Sequence, residues 1–171
     1  MPYWQLFYHL VWSTKNRQPL LTPRVEKEIY GLLTSKAVGL NAIVYAIGGS
    51  VDHVHMVVSI PPAISVSRFV GQVKGATSAL FNKSGLSDKR FQWQDEYSAF
   101  SFDAKRLPNY IEYVEKQKAH HRDGRAIPIL ERTTGENRGP RLIHEGAPPY
   151  AEDSQRWRDE LMAMEDAGEK V

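Results

Sequence analysis

Two histidines, and a tyrosine and glutamine much later in the chain, carry the chemistry this sequence could perform. The histidines lie in Asp52-His53-Val54-His55-Met56-Val57-Val58, a run rich in apolar and β-branched residues that reads as a strand. Side chains alternate along a strand, so His53 and His55 leave one face and Val54 leaves the other. Two imidazoles side by side on a sheet face can ligate one divalent metal. On an open face the same pair is an ordinary solvated pair, and the spacing alone does not choose between the two. The other half lies in the segment AKRLPNYIEYVEKQKAHH, which reads as a helix from Asp103 or Ala104 to about Arg122. Leu107, Tyr110, Ile111 and Val114 form its apolar face. At about 100° per residue, Tyr113 and Gln117 fall one turn apart on the stripe beside that face, near Arg106 and His120. Tyr113 would then be half exposed with its hydroxyl aimed at a site, and the Gln117 amide oxygen could be a third metal ligand. A boundary tyrosine and a surface glutamine would look the same. Tyr110 lies nearer the apolar face, which assigns it to the core.

The elements that must position these residues follow from periodicity and punctuation. Residues 3–13, YWQLFYHLVWS, read as a strand, followed by a basic turn with Lys15 and Arg17. Thr22-Pro23 provides a cap and a proline at the first helical position, and Val25, Ile29, Leu32, Leu33 and Ala37 form one helical face up to Gly39. Residues 41–47 and 53–60 read as a hairpin around Gly48-Gly49-Ser50. A second helix runs from Ser65 to about Phe81, and residues 84–90 form a loop. Residues 91–102 are partly extended, with FQW and SAFSF as the β pieces. The order β-α-β-β-α-β-α predicts an α+β domain over residues 1–122: a ferredoxin-like split-βαβ antiparallel sheet with two helices on one face and an extra C-terminal catalytic helix. Glycine and proline then punctuate a polar stretch. Residues 123–171 are expected to be an extended tail, with a short helix near 152–165.

The composition limits the rest. Zero cysteines exclude disulfides and thiolate chemistry, so a metal must use imidazole, carboxylate or amide donors. No apolar run reaches the roughly 20 residues of a membrane span, and the aromatic N-terminus lacks a signal-peptide pattern; a bacterial-type cytoplasmic location is expected. The net charge of +2 is unevenly spread. Residues 1–130 carry 16 Lys+Arg against 10 Asp+Glu, and residues 131–171 carry 6 against 10. A basic body suits a polyanion, although such an excess is common in proteins that never touch one.

Together the motifs resemble the single-tyrosine HUH transposases of the insertion-sequence 200/605 type and their REP-associated relatives. The His–hydrophobic–His motif is His53-Val54-His55, after the hydrophobic strand Ile43–Ile47. The tyrosine context is Tyr113-Val114-Glu115-Lys116-Gln117, followed by His120-His121. Val11–Arg17, Lys74–Ser78 and Trp93–Ser101 also fit, so the likeness extends over about residues 3–122. Position 116 is Lys where relatives often have Asn, and the segment after His121 lacks their Phe-x-x-Glu ending. The resemblance implies that His53, His55 and Gln117 bind Mg²⁺ or Mn²⁺ and that Tyr113 attacks a DNA phosphate, leaving a 5′-phosphotyrosine and a free 3′-hydroxyl. It also implies single-stranded DNA with hairpin ends as partner, and a homodimer in which the tyrosine helix of one chain serves the His pair of the other. DNA contacts are expected from Lys15, Arg17, Arg68 and Lys74, with Trp93 or Tyr97 stacking on unpaired bases.

Three alternatives use the same residues. A domesticated REP-associated enzyme would act on genomic hairpins. A non-catalytic ferredoxin-like module would bind single-stranded nucleic acid without metal. A His-dependent metal hydrolase would cut without a protein-linked intermediate.

Overall fold

A computed structural model describes residues 3–134; the helix expected near 152–165 lies outside them. Strands β1 (Phe7–Ser13), β2 (Ile43–Gly49), β3 (His53–Ser59) and β4 (Ser98–Phe102) form one antiparallel sheet in the order β2-β3-β1-β4. Helices α1 (Pro23–Gly39) and α2 (Val66–Ser84) occupy the two crossovers. This is the split-βαβ, ferredoxin-like arrangement expected. Each crossover returns the chain antiparallel to a central strand, so β1 and β3 become the middle of the sheet.

The helix limits have local causes. Thr22 and Pro23 open α1. The Ser65 hydroxyl accepts the Arg68 backbone N–H and caps α2. Gly85 ends α2 at φ 67°, a conformation glycine adopts without a Cβ penalty. Helix α2 runs three residues beyond Phe81.

The two faces of the sheet differ. On one, Leu10 and Trp12 of β1 and Val54, Met56 and Val58 of β3 pack with Ile29 and Leu33 of α1 and Phe69, Val73 and Phe81 of α2. Each such side chain contributes about 1.5–3 kcal/mol by leaving water. The other face is covered by helix α3 (Leu107–Glu115), which packs Val114 against Val57 and Ala46. Helix α3 comes close because position 48 has no side chain: a Cβ on Gly48 would lie 2.0 Å from the Val114 carbonyl oxygen.

The single long helix expected over 103–122 is broken in two. A 3-10 turn (Ala104–Arg106) precedes α3, and α4 (Gln117–Arg122) begins after Lys116, whose φ of −95° and ψ of 14° leave the helical range. The chain does not leave the domain at 123. It folds back through a second 3-10 turn, Pro128–Glu131, onto the α3 face. No helix among the described residues is long and apolar enough to cross a membrane.

Candidate active site

Alternation places His53, His55, Val57 and Ser59 of β3 on the α3 face, with His9 of neighbouring β1 beside them. All three histidines are buried. The covering elements bring Tyr113 from α3, Gln117 and His121 from α4, and Glu131 from the Pro128–Glu131 turn.

These groups converge on one carboxylate. Glu131 Oε2 lies 3.2 Å from His53 Nε2, 3.2 Å from His55 Nε2 and 3.1 Å from His121 Nε2. Glu131 Oε1 accepts a short hydrogen bond from the Tyr113 hydroxyl and one of 3.3 Å from Gln117 Nε2. The Tyr113 oxygen also accepts the Ile127 N–H at 3.0 Å. On the far side of the imidazoles, His53 Nδ1 meets Asp52 Oδ1 at 2.6 Å, and Asp52 pairs with Arg17 at 3.0 Å. His55 Nδ1 meets His9 Nε2 at 2.9 Å.

Two polar atoms facing this cluster are buried without hydrogen-bond partners among the described residues: Gln117 Oε1 and His53 Nε2. The latter is near Glu131 but outside hydrogen-bonding geometry. Buried polar atoms rarely stay unpaired without a reason, and both are metal-donor atoms. His53, His55, His121 and Glu131 each offer one donor atom within 4.8 Å of the others. The cluster therefore fits a divalent cation, and its imidazole-rich set suits Mn²⁺ better than Mg²⁺.

Burial and neighbours shape the ionisation. Burial would lower His53, but the Glu131 and Asp52 carboxylates outweigh it and hold the imidazole above its usual value. Burial wins at His55, which stays below its usual value although Glu131 pulls the other way. Burial and then the neighbouring His55 lower His9 to about 3. Burial raises the Tyr113 phenol to about 12, with the Glu131 hydrogen bond adding to it. Burial favours the neutral acid at Glu131, but the adjoining His53 and His55 imidazoles overcome that and hold the carboxyl well below the usual range.

The structure brings His53, His55, Tyr113 and Gln117 together within one chain. Tyr113 is buried instead of half exposed, because the segment from Ile127 to Glu131 covers it. Tyr110 stacks on Phe102 with ring centroids 4.0 Å apart. Arg68 is exposed, and Lys15 is partly exposed and 3.5 Å from Asp95. Arg17 is engaged with Asp52 and Thr133.

Two of the expected DNA contacts, Lys74 and Trp93, are buried. Lys74 is buried because its ammonium donates to the backbone carbonyls of Asp95 and Glu96, 3.0 Å each, tying that loop to α2. Trp93 is buried edge-on against Phe91 and Trp12. Four site residues had no assignment from sequence: His9, Asp52, His121 and Glu131. The alternation that paired His53 with His55 also fixes the side of β1 on which His9 lies, but not the strand that stands beside it. Asp52 adjoins the motif. Nothing local marked Glu131.

The family model described as "Transposase IS200 like" matches residues 2–117, from before β1 to the first residue of α4. The chain belongs to this family. The IS200 transposase of Salmonella typhimurium is 27% identical over 92 residues, which is 54% of this chain and 60% of that protein. The ISDra2 transposase TnpA of Deinococcus radiodurans is 32% identical over 75 residues, 44% of this chain and 54% of that protein. The chain thus spans less than two thirds of either relative's length. Among solved structures, a candidate transposase from Deinococcus radiodurans superposes with a TM-score of 0.55 at 22% identity, covering 68% of this chain and 95% of that one. A REP-associated tyrosine transposase bound to a REP hairpin superposes with a TM-score of 0.52 at 14% identity, covering 84% and 100%. These two likenesses establish the shared α+β fold. The matched residues of the family model end at Gln117, so His121 and Glu131 lie beyond them.

Proposed function

We propose that this transposase-family protein cleaves and rejoins single-stranded DNA through a covalent 5′-phosphotyrosine on Tyr113. His53, His55 and Gln117 hold the required divalent cation. The observation that carries this reading is the convergence of the Tyr113 hydroxyl, the Gln117 amide and the two imidazoles on the single carboxylate of Glu131. Groups that reach one small anion from separate elements also reach one small cation or one phosphate.

A cation bound there would polarise the scissile phosphate. Tyr113 Oη attacks phosphorus and the bond to the 3′-oxygen breaks. The tyrosine loses its phenolic proton, and the 3′-oxygen leaves as a hydroxyl after taking up a proton. The new phosphotyrosine diester conserves the bond energy, so the 3′-hydroxyl reverses the step without ATP. Asp52 orients His53 through Nδ1. Glu131 orients the Tyr113 hydroxyl. With its carboxyl held well below the usual range, it is too weak a base to retain the proton of a phenol near 12.

The REP hairpin carried by one structural neighbour supports hairpin-bearing DNA as substrate. The exposed Arg68, with Lys15 and Arg17 at the basic turn, would supply phosphate contacts. That Tyr113 and Gln117 meet the His pair of their own chain supports a site assembled within one chain.

A labelled hairpin oligonucleotide incubated with the protein and Mn²⁺ tests the reading on a denaturing gel. A protein–DNA adduct is expected with the wild type and not with Tyr113→Phe. Cleavage without an adduct would favour a metal hydrolase, and binding without cleavage a non-catalytic module. An adduct lost in Tyr110→Phe but kept in Tyr113→Phe would move the nucleophile.

A further inference from the structure

Each of the two imidazoles on β3 presents Nε2 to the site, and each has its other nitrogen engaged. For His53 the partner is a carboxylate, Asp52, at 2.6 Å. For His55 it is a third histidine, His9, at 2.9 Å. The two rings lie edge to edge, with centroids 5.0 Å apart and planes 11° from parallel, which suits an in-plane hydrogen bond. His9 is fully buried, walled by Phe100, Tyr110 and Tyr113. Its remaining nitrogen, Nδ1, has no partner among the described residues. A buried imidazole satisfied on one side only adds little stability, because its unpaired nitrogen still bears a desolvation cost.

We propose that His9 is the positioning residue of His55: it sets the ring's orientation and follows the tautomer that each state of the site demands. This rests on the metal reading above. Without a cation, His55 Nε2 faces Glu131 Oε2 at 3.2 Å, so the ring proton sits on Nε2 and His9 donates to Nδ1. A His55 that ligates through Nε2 must carry its proton on Nδ1, and His9 Nε2 must then accept. A backbone carbonyl could serve only the second state. An imidazole serves both, and so does a side-chain amide by flipping. The geometry therefore explains why a donor–acceptor residue occupies this apolar wall.

The test compares wild type, His9→Phe and His9→Gln. Phenylalanine keeps the ring volume and removes the nitrogen, whereas the Gln amide reaches about as far as Nε2. Far-UV circular dichroism checks that all three fold. Mn²⁺ affinity, read by the free-ion electron paramagnetic resonance signal, should fall about 10- to 100-fold in His9→Phe and return to within a few-fold in His9→Gln. In the metal-free protein, the ¹⁵N resonance of His55 Nδ1 should move toward that of an unbonded imidazole nitrogen in His9→Phe only. Unchanged affinity and an unchanged resonance in His9→Phe would overturn the inference. So would a His9→Gln protein as weak as His9→Phe, which would reduce His9 to packing. If the wild type bound no Mn²⁺, the metal reading would fall. The His55 resonance would still decide whether His9 holds that ring.

Discussion

Strand β3 feeds two regions that follow opposite rules. Toward α1 and α2 it presents Val54, Met56 and Val58 to a dry apolar core. Toward α3 it presents His53 and His55 to a pocket of imidazoles, an amide, a phenol and a carboxylate, with unpaired polar atoms left inside. Burying unpaired polar groups costs free energy, and removing apolar surface from water supplies it. The two faces divide the labour: the first stabilises the sheet well enough for the second to hold a polar cluster in register.

Four experiments break or sharpen that contrast. Tyr113→Phe should abolish the covalent adduct, lowering cleavage on the order of 10⁴-fold or more, while thermal unfolding moves little because the apolar face is untouched. A gel assay paired with a melting curve reads both, and an equal loss of stability would contradict the division. Met56→Ala, one residue from His55 but on the other face, should do the reverse. It should cost roughly 2–5 kcal/mol in urea unfolding and leave Mn²⁺ affinity near wild type at low temperature.

Gly48→Ala lies between these extremes. Its new Cβ meets the Val114 carbonyl at 2.0 Å, so α3 must retreat, at a cost of about 1–3 kcal/mol. Tyr113 and Gln117 move with α3, so adduct formation should fall more than stability does. A Gly48→Ala protein that is destabilised but fully active would show that the site does not depend on this close approach.

The smallest effect concerns Lys74, outside the cluster. Burial lowers its ammonium to about 8, with Asp95 and Glu96 opposing. Between pH 8 and the ordinary lysine value of 10.5, the unfolded chain binds more protons than the folded one. Stability from this group should therefore rise with pH across that window. Urea midpoints at pH 7.5 and 9.5 should show a rise in wild type that is absent in Lys74→Met. Equal pH dependence in both would mean the ammonium keeps its usual affinity for protons.

The sequence alone determined the fold class, the order of elements and most helix limits, because period, caps and turn residues are local signals. It also determined that His53 and His55 share a face, since alternation on a strand admits no other answer. It placed Tyr113 and Gln117 on one stripe, but missed the break at Lys116 and the burial of Tyr113. Nor was the burial of Lys74 and Trp93 legible, because exposure depends on what packs above a residue.

Only the tertiary structure decided the partners. Sheet order set His9 beside His55, the absent Cβ at Gly48 let α3 approach, and a turn just beyond α4 delivered Glu131 to the centre of the cluster. Each is a contact between segments distant in the chain or separated by a reversal, and no local period encodes which of two faces will meet.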